Sequence, residues 1–346
     1  MKLTLTHFSL RRFLRQIMND PQTWTGSFWR FIPFWLKGYS TEQVVLFEMT
    51  KQTLRDYPPD ALRYRITTQT NRHVWPILHD KLFFDSFMRG RLPVIEAAFF
   101  VIRGRLHSMP ESSWDVARFQ SDLEAGNQWV LKSSHGGGGV GILFVKRAED
   151  GFTVNAKLHA WSDLQGFLNG LEFHVAYPFV EPHPALRSYF PDTVNTLRLT
   201  VYRDDEGVAR LFNPVLRVGC RASVPVDNFQ QGGLTVAIDE ETGVCKRAFL
   251  RGSDGRRLEV TQHPESGASL LGGEIPFWKQ IRESLLSFHR DHPAFDLVGW
   301  DVLVGRETFW IIEGNHNPGM RMVFLFGHLG QRPELRAFFE KRGILP

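Results

Sequence analysis

The stretch that decides the fold is Trp129-Val-Leu-Lys132-Ser-Ser-His-Gly136-Gly-Gly-Gly-Val-Gly141-Ile-Leu-Phe-Val145. An apolar run, Trp129 to Leu131, ends in a lysine. A loop with glycine at five of six positions, Gly136 to Gly141, comes next, and a second apolar run, Ile142 to Val145, follows at once. The pattern predicts strand, glycine loop, strand. Glycine tolerates positive φ and lets backbone N–H groups approach a ligand. Successive N–H groups in such a loop can form an anion-binding concavity, to which Lys132 would add a point charge. The loop is not a P-loop, because no Lys-Ser or Lys-Thr follows its last glycine. It is not a dinucleotide fingerprint either, because a strand rather than a helix follows. On these residues alone, a phosphate cradle and a plain hairpin tip both remain open.

The chain has 346 residues, 42% hydrophobic and 13% aromatic, enough for one large domain or two to three lobes with real cores. Its net charge of +4 suits an anionic ligand and does not by itself argue for nucleic acid. No nucleic-acid-binding signature is present. Cys220 and Cys245 form no disulfide framework and no metal spacing. With no apolar run of membrane-spanning length and no signal-peptide pattern, a reduced, cytoplasmic setting is expected.

Residues 1–40 stand apart. Ser9 is placed to cap a helix with apolar positions Leu10, Phe13, Leu14, Ile17 and Met18, while Arg11, Arg12 and Arg15 lie off that stripe. Phe28, Trp29, Phe31, Phe34 and Trp35 follow. Basic flanks with large aromatics fit peripheral membrane contact. The commoner arrangement, and the one expected here, is a helix that packs its apolar face on the body.

Further on, helices are expected over 41–57, within 63–92, over 110–126 (capped by Ser112 or Ser113, with Val116, Phe119 and Leu123 inward) and over 161–171. Strands are expected at 93–102 and 173–180. From Asn195 the pattern turns β-rich: Thr196 to Tyr202 alternates, with Leu197, Leu199 and Val201 on one face and Thr196, Arg198, Thr200 and Tyr202 on the other. Strands are expected at 211–218, 234–238, 297–304 and 309–312, and helices at 275–289 and 333–342.

Asp301 lies on the penultimate strand, and Glu313-Gly314-Asn315 closes the last. Glu313 and Asn315, two apart, share a face in an extended chain, and their oxygens suit a hard cation such as Mg2+. If Gly305 pairs with Thr308, Asp301 falls opposite Ile312, so a metal shared with Glu313 requires an odd loop or a bulge. A hairpin with a solvated edge acid is the plainer alternative. A buried, unpaired Glu313 behind Ile311-Ile312 would be costly.

Lys132 with Gly136–Gly141, Asp80-Lys81, His183-Pro184, Asn195-Thr-Leu-Arg198, Arg217-Val-Gly219, Val226-Asp227-Asn228-Phe229 with Gly232-Gly233, Gly299-Trp300-Asp301 and Glu313-Gly314-Asn315 follow one another over roughly residues 40–330. This ordered set resembles the ATP-grasp superfamily, in its sugar-transfer associated branch. The resemblance implies an α+β fold in which two α+β lobes clamp ATP, preceded by a helical segment. Its implied divisions are a helical and aromatic segment (1–60), the N-terminal part of the ATP-grasp module (61–105), a lobe with the glycine-rich lid (106–180), and a lobe with the metal site and C-terminal helix (181–346).

By the same resemblance Lys81 and Lys132 contact ATP, and Gly136, Gly137, Gly138, Gly139 and Gly141 close over its β/γ-phosphates. The connector bearing Tyr177, Phe179, Val180, Glu181 and His183 is the adenine hinge. The family usually has a glutamate early in this hinge, where the chain has Pro178, which also lacks a backbone donor. Asp301, Glu313 and Asn315 are the implied Mg2+ ligands. Arg198 would face the phosphates. Arg217 and Asp227 would line the acceptor pocket or support the metal, with Asp227 the candidate general base.

The reaction most ATP-grasp enzymes share is carboxylate activation through an acyl phosphate, then capture by an amine. The implied substrates are therefore a small carboxylate and an amine, sugar-linked if the branch name is taken at its word, and no nucleic acid. A kinase on the same scaffold and a non-catalytic nucleotide-binding partner of glycan assembly remain alternatives.

Overall fold

A computed structural model describes residues 7–20, 28–62, 65–66, 69–110, 112–136, 139 and 141–345. The chain divides into two compact units. One comprises Pro76–His183 and Leu303–Gly314, the other Met1–Trp75, Pro184–Val302 and Asn315–Pro346.

In the unit built on Pro76–His183, seven strands form one antiparallel sheet. They are β1 (Phe99–Ile102), β2 (Arg105–Ser108), β3 (Trp129–Ser133), β4 (Ile142–Ala148), β5 (Gly151–Val154), β6 (Lys157–Ala160) and β7 (Phe173–Pro178), in the order β2-β1-β7-β3-β4-β5-β6. β3 is the central strand, and its Trp129, Val130 and Leu131 are buried. Trp129 packs against Trp114, Phe99 and Phe119, at ring-centroid distances of 4.8, 5.4 and 5.7 Å. Its indole N–H donates to Asp122 at 2.8 Å. The Val116–Glu124 helix turns Phe119 and Leu123 inward, as its spacing predicts, and both are fully buried. Each such side chain contributes about 1.5–3 kcal/mol. The helix cap is Asp115, which accepts from the Arg118 N–H. Neither Ser112 nor Ser113 takes that place, and the Ser112 hydroxyl instead donates to the carbonyls of Ala98 and Met109.

The other sheet runs β12-β11-β10-β9-β8-β13-β14. Its strands are β8 (Leu197–Arg203), β9 (Ala209–Val218), β10 (Leu234–Ile238), β11 (Cys245–Arg251), β12 (Arg257–Val260), β13 (Leu297–Val304) and β14 (Phe309–Asn315). The β13–β14 hairpin carries the chain from one unit into the other and back. Trp300 on β13 faces the Trp278–Asp291 helix: its indole bonds His289 at 3.0 Å, and its ring lies 5.3 Å from Phe288. Side chains alternate along a strand, so Leu297, Gly299 and Asp301 lie on the opposite face. The unit's largest apolar cluster covers that face around Leu297, with Phe31, Phe34, Tyr202, Phe212 and Phe338 among its members. Both faces are therefore covered, and β8 is buried at every position but its last.

At the N-terminal end, the His7–Asn19 helix begins before Ser9, so Ser9 lies inside it rather than capping it. Phe13 and Ile17 are buried against Ala61 and Trp35, as a packing helix requires. Leu14 and Met18, from the same expected stripe, remain exposed. Arg321 fastens this region to the C-terminal one: its guanidinium bonds Asp60 at 2.7 Å and also pairs with Glu42. Arg321→Ala would leave those two acids facing each other in a largely buried setting. It should lower unfolding stability by about 3 kcal/mol in a urea titration, whereas substitution of exposed Lys341 should change it by no more than about 0.5 kcal/mol.

Candidate functional site

The residues singled out for function fall into two clusters, one in each unit. In the unit with the glycine loop, β3 and β4 form the predicted hairpin, with Lys132 opposite Ile142 and the Ser133 N–H bonded to the Gly141 carbonyl at 3.3 Å. Gly139 and Gly141 have φ of 84° and 75°, which side chains with a Cβ rarely adopt. Gly137 and Gly138 lie outside the described residues.

The base of the loop is tied to the Lys81–Met88 helix through Asp80. One carboxylate oxygen of Asp80 caps the helix, accepting from the N–H groups of Leu82 and Phe83. The other accepts from the Ser134 hydroxyl at 2.7 Å and lies 3.1 Å from His135. Lys81 then reaches back and donates to the Gly136 carbonyl at 3.0 Å. Burial lowers the pKa of Lys81, and Glu313 and Asp80 oppose that shift by their charge. Lys132 holds its ammonium 5.4 Å from the centre of the Tyr177 ring. The Tyr177 phenol is buried and its pKa is raised, first by burial and then by the carboxylates of Asp85, Asp80 and Glu313.

Beyond β7 the connector is anchored at both ends. The Phe179 N–H donates to Gln128 at 2.8 Å and the His183 N–H to Val304 at 2.7 Å. Pro178 occupies the last position of β7, paired with Trp129, where a missing N–H does least harm to the ladder. Val180, Glu181 and His183 are half-buried.

In the other unit, strand register brings Arg198, Arg217, Asp227 and Asp301 together. Arg198 on β8 pairs directly with Asp301 on β13, so their side chains share a face. The Arg198 Nε donates to Asp301 at 2.5 Å, and the Arg217 Nη2 lies 3.2 Å from the second oxygen of the same carboxylate. Arg217 also faces Asp227 at 3.5 Å. Asp227 in turn accepts from the Thr196 N–H at 2.8 Å and from its hydroxyl at 2.5 Å. Two guanidinium groups and two carboxylates make the cluster neutral overall, which is how buried charge is tolerated.

Small residues and amides hold this frame. A Cβ on Gly299 would come 2.7 Å from Pro318 and 3.2 Å from the Arg198 side chain, so only glycine leaves Arg198 its place. Asn195 accepts from the Gly219 N–H at 3.1 Å and donates to the Leu186 carbonyl at 2.7 Å. The hydroxyls of Thr200 and Thr235 are buried with no hydrogen-bond partner among the described residues. Thr235 sits opposite Arg217 across β9–β10, and Thr200 is two residues along from Arg198. Both therefore lie on the charged face.

Asp301 and Asp227 are pushed in opposite directions. Burial would raise both, but in Asp301 the Arg198 and Arg217 charges outweigh it, and its pKa falls below the ordinary carboxylate value. In Asp227 burial prevails over Arg217 and the Thr196 bonds, and its pKa is raised.

Asp301 and Asn315 carry oxygen donors of the kind Mg2+ takes, and both Asp301 oxygens are at the same time paired with Arg198 and Arg217. The Asn315 amide nitrogen donates to the Gly299 carbonyl at 3.2 Å, which leaves its oxygen as the ligating end. Among the described residues, no group of three or more His, Cys, Asp or Glu side chains gathers to cage a metal. Glu313 belongs to the other unit, where its charge acts on Lys81 and Tyr177. The Gly305 N–H does bond the Thr308 carbonyl, at 2.8 Å, and the alternation of burial along β14 slips by one residue at Ile312–Glu313.

Sequence reasoning named the charged residues here but not what joins them. The Thr196–Asp227 bonds connect residues far apart in the chain, and no local signal marks them. Asn71 was missed as well. It is buried, accepts from the N–H groups of Asp296 and Leu297, and donates to the carbonyls of Leu297 and His316.

Because its folded pKa is depressed, Asp301 contributes stability above the unfolded carboxylate value near 4 and loses it as pH falls through the folded value. Asp301→Asn should therefore cost about 3–5 kcal/mol at pH 7. The gap between variant and wild-type urea midpoints should close as pH is taken below about 4.

Among solved structures, the chain is similar to N5-carboxyaminoimidazole ribonucleotide synthetase from Thermotoga maritima, at 12% identity and a TM-score of 0.37, covering 70% of this chain and 43% of that one. It is similar to N5-carboxyaminoimidazole synthetase from Staphylococcus aureus complexed with ADP, at 12% and 0.39, covering 70% and 45%. It is also similar to D-alanyl-alanine synthetase A from Vibrio cholerae, at 11% and 0.44, covering 77% and 66%. The chain thus spans less than half the length of the first two. No curated protein matches it. The model of sugar-transfer associated ATP-grasp proteins matches residues 62–339, most of the chain. The chain belongs to the sugar-transfer associated ATP-grasp family.

Proposed function

We propose that this chain binds ATP with Mg2+ and joins a carboxylate to an amine through an acyl phosphate. The observation that carries this reading is the glycine hairpin. Lys132 lies next to the end of its incoming strand, and half-buried Lys81 donates to the Gly136 carbonyl. Two lysines beside a glycine-rich loop in one unit support a phosphate clamp.

In this reading Lys81 and Lys132 hold the triphosphate and the loop closes over it, excluding water. The connector reads the base. Its N–H groups at Phe179 and His183 are already engaged, and Pro178 and Pro182 have none, so the base would be read from the Val180–Glu181 stretch. Mg2+, held by Asp301 and Asn315, would neutralise phosphate charge.

A carboxylate oxygen of the first substrate attacks the γ-phosphorus and ADP leaves. The amine nitrogen then attacks the acyl carbon, and inorganic phosphate departs with the bond it had formed. Arg198 and Arg217 supply fixed positive charge for the acyl phosphate. Asp227, its pKa raised by burial, is the group suited to take the proton the amine gives up. The family's association with sugar transfer supports a sugar acid or an amino sugar as one substrate.

Calorimetry should detect Mg-dependent ATP binding, weakened at least tenfold in Lys132→Ala. No binding by the wild-type protein would end the proposal. Phosphate release should require both a carboxylate and an amine, with an amide identified by mass spectrometry. A phosphorylated hydroxyl product would replace ligation with kinase chemistry. Cleavage at the glycine loop by a protease should slow with Mg-ATP.

A further inference from the structure

We propose that the N-terminal segment docks this chain on an anionic lipid surface. Residues 1–40 contain six Lys or Arg (Lys2, Arg11, Arg12, Arg15, Arg30 and Lys37) against the single acid Asp20. That excess exceeds the +4 of the whole chain, so the remaining residues are close to neutral. The basic character of the protein is thus concentrated at one end.

The helix His7–Asn19 has three rows. Phe13 and Ile17 face inward and are buried. Leu14 follows on the next row, 48% exposed, and Arg11 and Arg15 on the row after that, both exposed. At 3.6 residues per turn Leu14 lies between the buried row and the cationic row, the pattern of a helix lying at a membrane interface.

The same unit exposes two more large apolar side chains close by in sequence, Trp29 and Leu36, each 78% exposed. Trp29 is linked to the helix through rings: it touches Phe28 at 5.6 Å, Phe28 touches Trp35 at 5.0 Å, and Trp35 packs on Phe13 and Ile17. Exposed Arg30 and Lys37 directly follow Trp29 and Leu36 in the chain. Each protruding hydrophobe thus has a cation beside it. Arginine and lysine stems extend along apolar surface while their charged heads reach toward phosphate. A neutral protein partner would use the hydrophobes and leave the cations without purpose, whereas a bilayer with anionic headgroups uses both. Among the described residues no helix is long and apolar enough to cross a membrane, so the contact is with its surface.

Full-length protein should sediment with vesicles of phosphatidylcholine containing about a third phosphatidylglycerol, and not with phosphatidylcholine alone. Salt at about 0.5 M should reverse the binding. Arg11→Gln and Arg15→Gln should each weaken it about fivefold. The pair Trp29→Ser and Leu36→Ser should weaken it at least as much, with the thermal midpoint unchanged because both side chains are exposed. Equal behaviour with the two vesicle types would overturn the proposal without reference to any variant, as would anionic binding that survives both sets of substitutions. A wild-type dimer that Trp29→Ser and Leu36→Ser dissolves would assign the surface to a second copy of the chain, and would overturn it too.

Discussion

A buried carboxylate shared by two arginines sets the terms for the unit that contains it. Asp301 cannot be buried alone, and neither can Arg198 or Arg217. Their mutual pairing, completed by Asp227, is what lets a sheet keep four charges on a covered face. Everything nearby accommodates that arrangement. β8 and β13 pair in the register that sets Arg198 against Asp301. Gly299 is small because the Arg198 side chain and Pro318 occupy the space a Cβ would need. Thr196 fixes Asp227 from backbone and side chain together. Charges held this way need little reorganisation when a further charge develops beside them.

The glycine-loop unit solves a different problem. A loop rich in glycine has high conformational entropy and gains little from its own contacts. It is therefore tethered from outside. Asp80 divides its two oxygens between a helix N-terminus and Ser134, and Lys81 grips the Gly136 carbonyl. The incoming side of the loop is thereby fixed, and the Gly141 carbonyl accepts from the Ser133 N–H on the outgoing side. Half-buried Lys81 is held by the Gly136 carbonyl and by the charges of Glu313 and Asp80.

Much of this was legible in the chain itself. The β3–β4 hairpin, the Leu234–Ile238 and Leu297–Val304 strands and the inward Phe119 and Leu123 all follow from local periodicity. Short strands such as Arg105–Ser108 and Lys157–Ala160 were not legible, because four residues of mixed polarity carry no period to read. The cap at Asp115 was misread because three capping residues compete within four positions and only the tertiary bonds of Ser112 remove it from the contest. The N-terminal helix followed its period but not its burial. A wide apolar stripe needs a surface of matching width; among the described side chains Ala61 and Trp35 receive Phe13 and Ile17, while Leu14 and Met18 stay exposed.

By itself the sequence determined which chemical groups are present and the local conformations that carry them. It held the glycine hairpin, the lysines, the acidic last strands, and enough ordered motifs to place the chain in its family. Only the tertiary structure decided how those groups are used: that Asp301 is shared by Arg198 and Arg217, that Asp227 belongs to Thr196, that Asp80 anchors the glycine loop, and that Leu14, Trp29 and Leu36 are left exposed. Periodicity acts within a turn of helix or a pair of residues on a strand. Hydrogen bonds between residues a hundred positions apart exist only once the register of β8 against β13 has brought them within reach.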